Sequence, residues 1–144
     1  MSEQRHDICL RLHLDSKPGR VFELLASDQG RESFWVSRSR QQGDAIAFSF
    51  PNGDSLTSRI LESSPAHRFS FTYFQDTTVT VELTEAAHGT ELVLRESGVP
   101  AEALIENRAG WVSVLLNLKA RADHGVDLRN HDPARTWTTG YVDN

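Results

Sequence analysis

Six histidines and one cysteine are the residues with the most versatile chemistry in this sequence, and their spacing limits what they can do. The histidines are His6, His13, His67, His88, His124 and His131. No two of them stand four residues apart on a predicted helix or form a closely spaced chelating pair, so the sequence predicts no metal site. Cys9 falls on the polar side of the first predicted strand without an activating neighbour, and we do not assign it as a nucleophile.

Motifs that would define an enzyme or a cofactor site do not occur. The chain contains no GxSxG elbow, Walker loop or dinucleotide fingerprint. His131 beside Asp132 could orient an imidazole, but adjacent side chains in a turn more often form a local cap. We therefore expect no catalytic residue and no cofactor, and the sequence favours a non-enzymatic role.

Charged residues inside apolar stretches are a second kind of candidate. Arg59 lies in a strand pattern between Leu56 and Ile60, while Arg95 and Glu96 follow an apolar strand. An inward charge would need a partner, because an isolated buried charge is costly. An inward arginine could bind a ligand carboxylate, and the alternative is that these side chains face solvent. Residues 106–108 precede Trp111 and could line an entrance or face water.

Composition excludes several classes of function. With 20 acidic and 15 basic side chains the net charge is −5, which predicts no binding to nucleic acid. A single cysteine allows no intrachain disulfide and fits a reducing compartment. The N-terminal stretch has no hydrophobic run of signal-peptide length, and no segment has the ~20 apolar residues that span a bilayer. We expect a cytoplasmic protein without membrane insertion.

The apolar periodicity predicts the elements that must position any site. Ile8 to Leu14 alternate as a half-buried strand, and Ser16 followed by Pro18 predicts a helix start with Ser16 as its cap. A second short helix is expected from Asp28 to about Trp35. Five further alternating stretches separated by turn residues then predict an antiparallel meander, and they are centred on residues 46–50, 56–60, 69–73, 79–83 and 92–94.

After Pro100 the pattern becomes helical and continues to Gly125. Trp111, Leu115 and Leu118 belong to one apolar stripe, and Gly125 is a favoured left-handed cap. We predict one domain over residues 1–125 and an extended tail over 126–144. Trp137 and Tyr141 of this tail are costly to expose together, so we expect them to pack on the domain or on a second copy in a homodimer.

The widths of these elements predict a curved sheet. Six or seven strands span roughly 25–30 Å, whereas one helix is only about 10–12 Å across. The sheet must therefore wrap around the helix, and the wrapping can leave a cavity. The candidate cavity residues are Trp35, Phe48, Phe50, Phe69, Phe71, Tyr73, Val81, Trp111 and Leu115. The alternative is that these side chains pack a solid core.

The order of strand, two helices, antiparallel meander and long C-terminal helix resembles the START-like superfamily, whose α+β architecture is also called the helix-grip fold. Within it, the C-terminal half is similar to the family related to the activator of the 90-kDa heat-shock protein ATPase. The residues carrying this resemblance are Gly110-Trp111, Leu118-Lys119 and the tail from Leu128-Arg129-Asn130-His131-Asp132 through Trp137, Gly140-Tyr141 and Asp143-Asn144. The resemblance implies a hydrophobic pocket.

Three functions follow as hypotheses. The first is binding of a small apolar or amphipathic molecule between the sheet and the Trp111 face of the long helix. The second is an enzyme of the cyclase or hydrolase type that uses the same cavity, which would need a titratable group inside it. The third is an interaction module that acts on a chaperone or another protein, which predicts an exposed contiguous patch and no sizeable void.

Overall fold

The computed structural model describes residues 4–144, and a curved antiparallel sheet gripping one long helix forms most of it. Residues 1–3, where the N-terminal segment considered above begins, lie outside the described part. In chain order the elements are β1 (Arg5–Leu14), α1 (Pro18–Ala26), α2 (Asp28–Glu32), β2 (Arg38–Gln42), β3 (Ala45–Ser49), β4 (Ser55–Ser64), β5 (Arg68–Thr72), β6 (Thr78–Ala86), β7 (Gly89–Pro100) and α3 (Leu104–His124). Short 3₁₀ turns cover Phe74–Asp76, Ala101–Ala103 and Trp137–Thr139.

The sheet has seven strands in the order β1-β7-β6-β5-β4-β3-β2, and every neighbouring pair is antiparallel. β2 to β7 therefore form a meander, and β1 returns to pair with β7. Register shifts interrupt the β1–β7 pairing between His6 and Ile8 and the β4–β5 pairing between Ile60 and Glu62. Such irregularities bend strands and help a sheet to curl. The predicted helix-grip α+β fold is confirmed.

Strand β2 has no counterpart among the predicted strands. Its sequence RSRQQ contains no large apolar residue, and only Ser39 is buried. Pairing with β3 and contacts with α2 place it at the sheet edge. Apolar alternation could not reveal it, because its side chains supply polar contacts instead of core.

Two predicted details of the first helices are wrong. Ser16 does not cap α1: the N-cap is Lys17, which makes no side-chain cap, and the Ser16 hydroxyl donates to Asp123 Oδ1 at 2.7 Å. Pro18 does begin the helix, as predicted. The second helix ends at Glu32, not near Trp35, which lies in the following turn. There the Trp35 ring turns into the core and is only 6% exposed.

A buried arginine joins α2 to β2. Arg31 has no exposed surface, and it donates to Ser39 Oγ, Leu25 O, Asp28 Oδ1 and Gln41 Oε1 at 2.8–3.0 Å. Burial lowers the pKa of Arg31, and the adjacent Asp28 carboxylate counteracts that change. The network satisfies the guanidinium in the way that a buried charge requires. It fixes α2, and the turn after it, against the sheet edge.

Helix α3 closes the concave side of the sheet. Trp111, Leu115 and Leu118 are buried on its inner face, and Gly125 ends it with a left-handed φ of 65°. The predicted cap is therefore confirmed. The core lies between this face, α1 and the inward side chains of β3 to β7, with Phe48, Phe69, Phe71, Val79, Val81, Leu92 and Leu94 among its buried members.

Candidate functional site

A cleft of about 370 Å³ opens between α3 and the sheet. The turn joining β3 to β4, residues 50–54, forms one side, and residues 73–75 after β5 form another. Helix α3 forms the third side with residues between Glu106 and Asn117. Trp35 and two tail residues, Trp137 and Asn144, complete the lining.

Aromatic rings form the apolar wall of the cleft. The Tyr73 ring centroid lies 5.0 Å from that of Trp111 and 6.2 Å from that of Trp35, and the two indoles are 5.7 Å apart. Phe50 lies 6.3 Å from Tyr73 and 5.3 Å from Phe74. Trp111 comes from α3, Trp35 from the turn after α2, and the other three rings from the segments after β3 and β5. The wall therefore exists only in the folded chain. Rings that contact one another in this way hold each other in place, and all five line the cleft.

A fully buried carboxylate lies directly behind this wall. Glu96 of β7 has no exposed surface, and its Oε1 accepts a hydrogen bond from Trp111 Nε1 at 2.9 Å. Its Oε2 accepts from the Thr77 hydroxyl at 2.7 Å, and Asn107 Nδ2 lies 3.4 Å from both oxygens. Three neutral donors therefore satisfy the group. They also fix the ring orientation of Trp111 and the position of Asn107, both of which line the cleft.

Tyr73 keeps its proton at physiological pH. Burial raises the pKa of its phenol strongly, and the nearby Glu96 charge raises it further, whereas a hydrogen bond with Trp35 lowers it. A neutral phenol is both a donor and an acceptor. Tyr73 can thus orient a polar group of a ligand but does not supply a phenolate.

The polar part of the lining comes mainly from α3. Asn107 and Asn117 face the cleft, and Asn117 is only 8% exposed. Glu106 also lines the cleft and accepts from Trp137 Nε1 of the tail at 3.2 Å. Residues 106–108 are the candidates for an entrance. Glu106 and Asn107 line the cleft, whereas Arg108 does not line it and faces solvent.

The tail lies on the domain of its own chain. Ser113 Oγ donates to Val142 O at 2.8 Å, and Arg129 Nη2 of the tail donates to Glu32 O at 2.8 Å. Trp137 is half-buried, whereas Tyr141 is 43% exposed. The two tail aromatics therefore differ: Trp137 closes one end of the cleft, and Tyr141 remains open to solvent.

The nine residues predicted for a cavity divide into two groups. Trp35, Phe50, Tyr73 and Trp111 line the cleft. The other five pack in the closed core and do not line it, namely Phe48, Phe69, Phe71, Val81 and Leu115. One reason is that α1 fills the concave face at this end, where Phe22 meets Phe69 edge-on at 6.2 Å. The space between sheet and helix is thus open at one end and solid at the other.

Several polar residues of the site have weak signals in the sequence. Glu96, Arg59 and Arg95 are the three candidates for an inward charge in the sequence. The structure buries Glu96 and leaves Arg59 and Arg95 exposed. Asn117 lies six residues after Trp111 and is not part of the predicted apolar stripe of the helix. The stripe therefore gives no sign that Asn117 lines the cleft.

A second cavity of about 250 Å³ lies under the tail. Arg129 is 8% exposed and donates to Glu32 O at 2.8 Å, to Val36 O at 3.2 Å and to Asp127 Oδ1 at 2.9 Å. His131 Nε2 contacts Asp127 Oδ2 at 2.7 Å, so its partner is Asp127 and not the adjacent Asp132. Burial would raise the pKa of Asp127, but the hydrogen bonds from Arg129 and His131 hold it well below its usual range.

Within residues 4–144, no three or more histidine, cysteine, aspartate or glutamate side chains are grouped as metal ligands. No helix in this part of the chain has the length and apolar character needed to cross a bilayer.

The curved sheet, the long helix and the cleft between them define a helix-grip protein of the α+β class. The family model described as "Activator of Hsp90 ATPase homolog 1-like protein" matches residues 15–123, and the chain belongs to this family. The predicted relationship is therefore confirmed. No curated protein matches the chain in sequence.

Solved structures with the same fold include a protein of Staphylococcus saprophyticus. It is 25% identical, with a TM-score of 0.77 over 86% of this chain and 96% of that one. The Aha1 dimer from Colwellia psychrerythraea is 18% identical, with a TM-score of 0.77 over 83% and 98% of the two chains. The AHSA1-like protein from Aeromonas hydrophila is 16% identical, with a TM-score of 0.71 over 83% and 96%. At these low identities the last two show the fold alone.

Proposed function

We propose that this protein binds a small hydrophobic or amphipathic molecule in the cleft between α3 and the sheet and carries out no catalysis there. The observation that supports this best is the aromatic wall of Trp35, Tyr73 and Trp111 beside a space of about 370 Å³. This volume lies within the range of natural small-molecule pockets, and apolar walls with a few polar groups are typical of them. The cytoplasmic location stays a prediction.

The cyclase or hydrolase hypothesis has weaker support. An enzyme of this type would need an acid or base free to reach a ligand. The buried carboxylate nearest the cleft, Glu96, is occupied by donors from Thr77, Asn107 and Trp111. The Tyr73 phenol is held in its protonated form. These contacts favour a positioning role for both groups. The chaperone-associated hypothesis stays a prediction.

Blocking the cleft tests the binding proposal. Gly110 lies on the cleft side of α3, and a Cβ placed there would meet no atom within 4 Å. Gly110→Leu should keep the helix, because leucine is a better helix former than glycine, while its side chain fills the cleft. We expect the neutral fluorescent probe N-phenyl-1-naphthylamine to bind the wild type saturably and to bind this variant at least tenfold more weakly.

The matched control is Gly19→Leu in α1, where the added Cβ also meets nothing within 4 Å and the site is far from the cleft lining. It should bind the probe like the wild type. Equal probe affinity in the Gly110→Leu variant, with its circular dichroism unchanged, would show that this cleft is not the binding site. The same holds if the wild type shows no saturable probe binding.

We also infer that the protein forms a homodimer through the outer face of α3. Ile105, Val112 and Leu116 recur at helical spacing on that face and are 86%, 43% and 52% exposed. The tail extends this apolar surface, since Val142 is 70% exposed and its carbonyl accepts from Ser113. A solved relative of the same fold is described as a dimer.

Sedimentation velocity of two charge-introducing variants tests the dimer. Leu116→Glu places a charge in the α3 face and should yield a monomer. Leu61→Glu is the matched control, because Leu61 is 51% exposed but lies on β4, and it should sediment as the wild type does. A wild-type monomer at micromolar concentration, or a Leu116→Glu dimer of unchanged affinity, would contradict the inference.

A further inference from the structure

We propose that the ligand of the cleft is a cationic amphiphile, an amine or quaternary ammonium group attached to an apolar body. The inference rests on the proposed binding function and adds the charge of the ligand to it.

The charged side chains of the lining are acidic. Among the lining residues within 4–144, Asp54 and Glu106 are the ionisable side chains besides the Tyr73 phenol. Within residues 4–144, no lysine, arginine or histidine is among the lining residues. Arg5 contacts the backbone carbonyls of Gln75 and Gly98, at 3.4 and 3.0 Å, without being a lining residue. An anionic headgroup would therefore enter a space without a cationic partner.

Three aromatic rings of the lining also favour a cation. Trp35, Tyr73 and Trp111 meet at centroid distances of 5.0–6.2 Å with interplanar angles of 36–53°. All three line the cleft, where Trp35 and Trp111 keep 6% and 4% of their surface exposed. A cation that reaches the face of such a ring is attracted by its negative quadrupole, most strongly by that of indole. The same rings accept the apolar body of the ligand.

The buried carboxylate behind the aromatic wall favours a cation as well. Glu96 is completely buried, and its three hydrogen-bond donors are all neutral. In the described part of the chain it forms no ion pair of its own, so its negative charge acts on the space beyond Trp111 and Asn107. Charges separated by one layer of protein interact more strongly than in water, because the local dielectric is low. A cation in the cleft would thus interact favourably with this carboxylate.

A matched series of ten-carbon ligands tests the inference. Decyltrimethylammonium, decanol and decanoate share their apolar chain and differ in charge. Displacement of N-phenyl-1-naphthylamine should require at least tenfold less decyltrimethylammonium than decanoate, with decanol between them. The preference should shrink as salt is added, because part of the attraction comes from the exposed carboxylates.

Two outcomes separate this inference from the binding proposal. Probe binding that decanoate competes with as effectively as decyltrimethylammonium would overturn the charge preference and leave the binding function standing. A wild type that binds neither the probe nor any of the three ligands would overturn both. Calorimetry should show that the Gly110→Leu variant binds decyltrimethylammonium at least tenfold more weakly than the wild type does. An unchanged affinity would place the cation outside the cleft and overturn the inference.

A pair of isosteric variants adds the site-specific readout. Glu106→Gln removes a cleft charge and keeps an acceptor for Trp137 Nε1. It should reduce the preference for the cation over decanol about threefold. The control Glu85→Gln removes the same charge from an exposed position of β6 that does not line the cleft. Glu85 also lies six residues from Val79, the β6 residue that pairs with Glu96. It should leave the preference unchanged, and an equal reduction in both variants would attribute the preference to net charge and overturn the inference.

Discussion

The Glu96 carboxylate connects the core of the protein to its cleft at the scale of single residues. It lies on a sheet strand, yet two of its three donors, Asn107 and Trp111, come from α3 and the third, Thr77, comes from the segment before β6. A buried charge without enough partners is strongly destabilising. Each donor therefore matters more than an ordinary hydrogen-bonding side chain, and losing one should affect both stability and the shape of the aromatic wall.

Replacing Thr77 with valine tests this dependence. Thr77 is 1% exposed and its hydroxyl donates to Glu96 Oε2 at 2.7 Å. Valine preserves the shape and removes the donor, so we expect the free energy of unfolding to fall by about 1–3 kcal/mol in urea denaturation. The exposed Thr57 of β4 supplies the control, because Thr57→Val should change stability by less than about 0.5 kcal/mol. Equal effects of the two substitutions would contradict the assigned role of Glu96.

At the scale of elements, one side chain holds the end of α3 against the connection between β1 and α1. Asp123 in the last turn of α3 accepts from the backbone N–H groups of Asp15 and Ser16 at 2.9 Å and from the Ser16 hydroxyl at 2.7 Å. Lys119 Nζ donates at 3.3 Å to Asp123 Oδ2, the oxygen that also accepts from Asp15 N. Burial alone would raise the pKa of Asp123, but these donors outweigh it and hold the pKa at about 2. One side chain thus joins α3 to the β1–α1 connection.

This depressed pKa predicts acid sensitivity with a definite sign. In the unfolded chain Asp123 regains a pKa near 3.8, so protonation favours unfolding. The stabilisation is present above about pH 4 and is lost as the pH falls towards 2. The fall in the pKa of Asp123 from 3.8 to about 2 corresponds to about 2 kcal/mol of stability. Solvent screens this contribution little, because the carboxylate is only 1% exposed.

Comparing the wild type with Asp123→Asn from pH 5 to pH 2 measures this contribution. Asparagine has no charge to lose, so the variant should be less stable at pH 5 and should lose about 2 kcal/mol less than the wild type over the range. Asp76→Asn is the control, because Asp76 is exposed and should leave the pH profile unchanged. Parallel profiles for the wild type and Asp123→Asn would exclude Asp123 as a source of acid sensitivity.

Elements with a regular apolar pattern could be predicted from the sequence, and the contacts that complete the site could not. Alternation in segments such as Phe69–Tyr73 predicts strands because it reports which face is buried. The same alternation cannot say whether a buried ring meets another ring or empty space. Phe50 lines the cleft and Phe69 lies in the core because α1 covers only one end of the sheet. That difference depends on tertiary packing.

Buried polar partners were unpredictable for a related reason. Arg31 looks like a surface residue of a short helix, and its burial depends on acceptors supplied by β2 and by the end of α1. Trp137 was expected to pack somewhere, but its contact with Glu106 joins residues 31 positions apart. Sequence periodicity describes one element at a time and therefore contains no information about such pairs.

At the scale of the whole molecule, the cleft needs four separate parts of the chain. The segments after β3 and β5 supply Phe50 and Tyr73, the turn after α2 supplies Trp35, α3 supplies Trp111, and the tail supplies Trp137 and Asn144. The tail is joined to the domain by Arg129, which donates to the Glu32 carbonyl at the end of α2 and to the Val36 carbonyl in the segment after it. Ligand binding should consequently depend on how firmly the tail is held.

Replacing Arg129 with methionine tests this coupling. The side chain of Arg129 is 4% exposed, and its loss leaves the Glu32 and Val36 carbonyls and the Asp127 carboxylate without their donor. Hydrogen bonds to charged groups contribute about 1.5–3 kcal/mol each. A loss of that size from the tail should increase the population of its open form more than tenfold. Trypsin should then cut after the exposed Arg135 at least ten times faster, as followed by mass spectrometry.

Arg40→Met is the matched control for the tail. Arg40 also contacts Glu32, at 3.1 Å, but its side chain is 58% exposed, and such surface ion pairs contribute little. Its tail should be cut at close to the wild-type rate. The affinity for N-phenyl-1-naphthylamine should fall in the Arg129→Met variant and stay unchanged in the control, because Trp137 and Asn144 leave the cleft together with the tail. Faster cleavage with unchanged probe affinity would show that the tail is held by Arg129 but contributes nothing to the binding site.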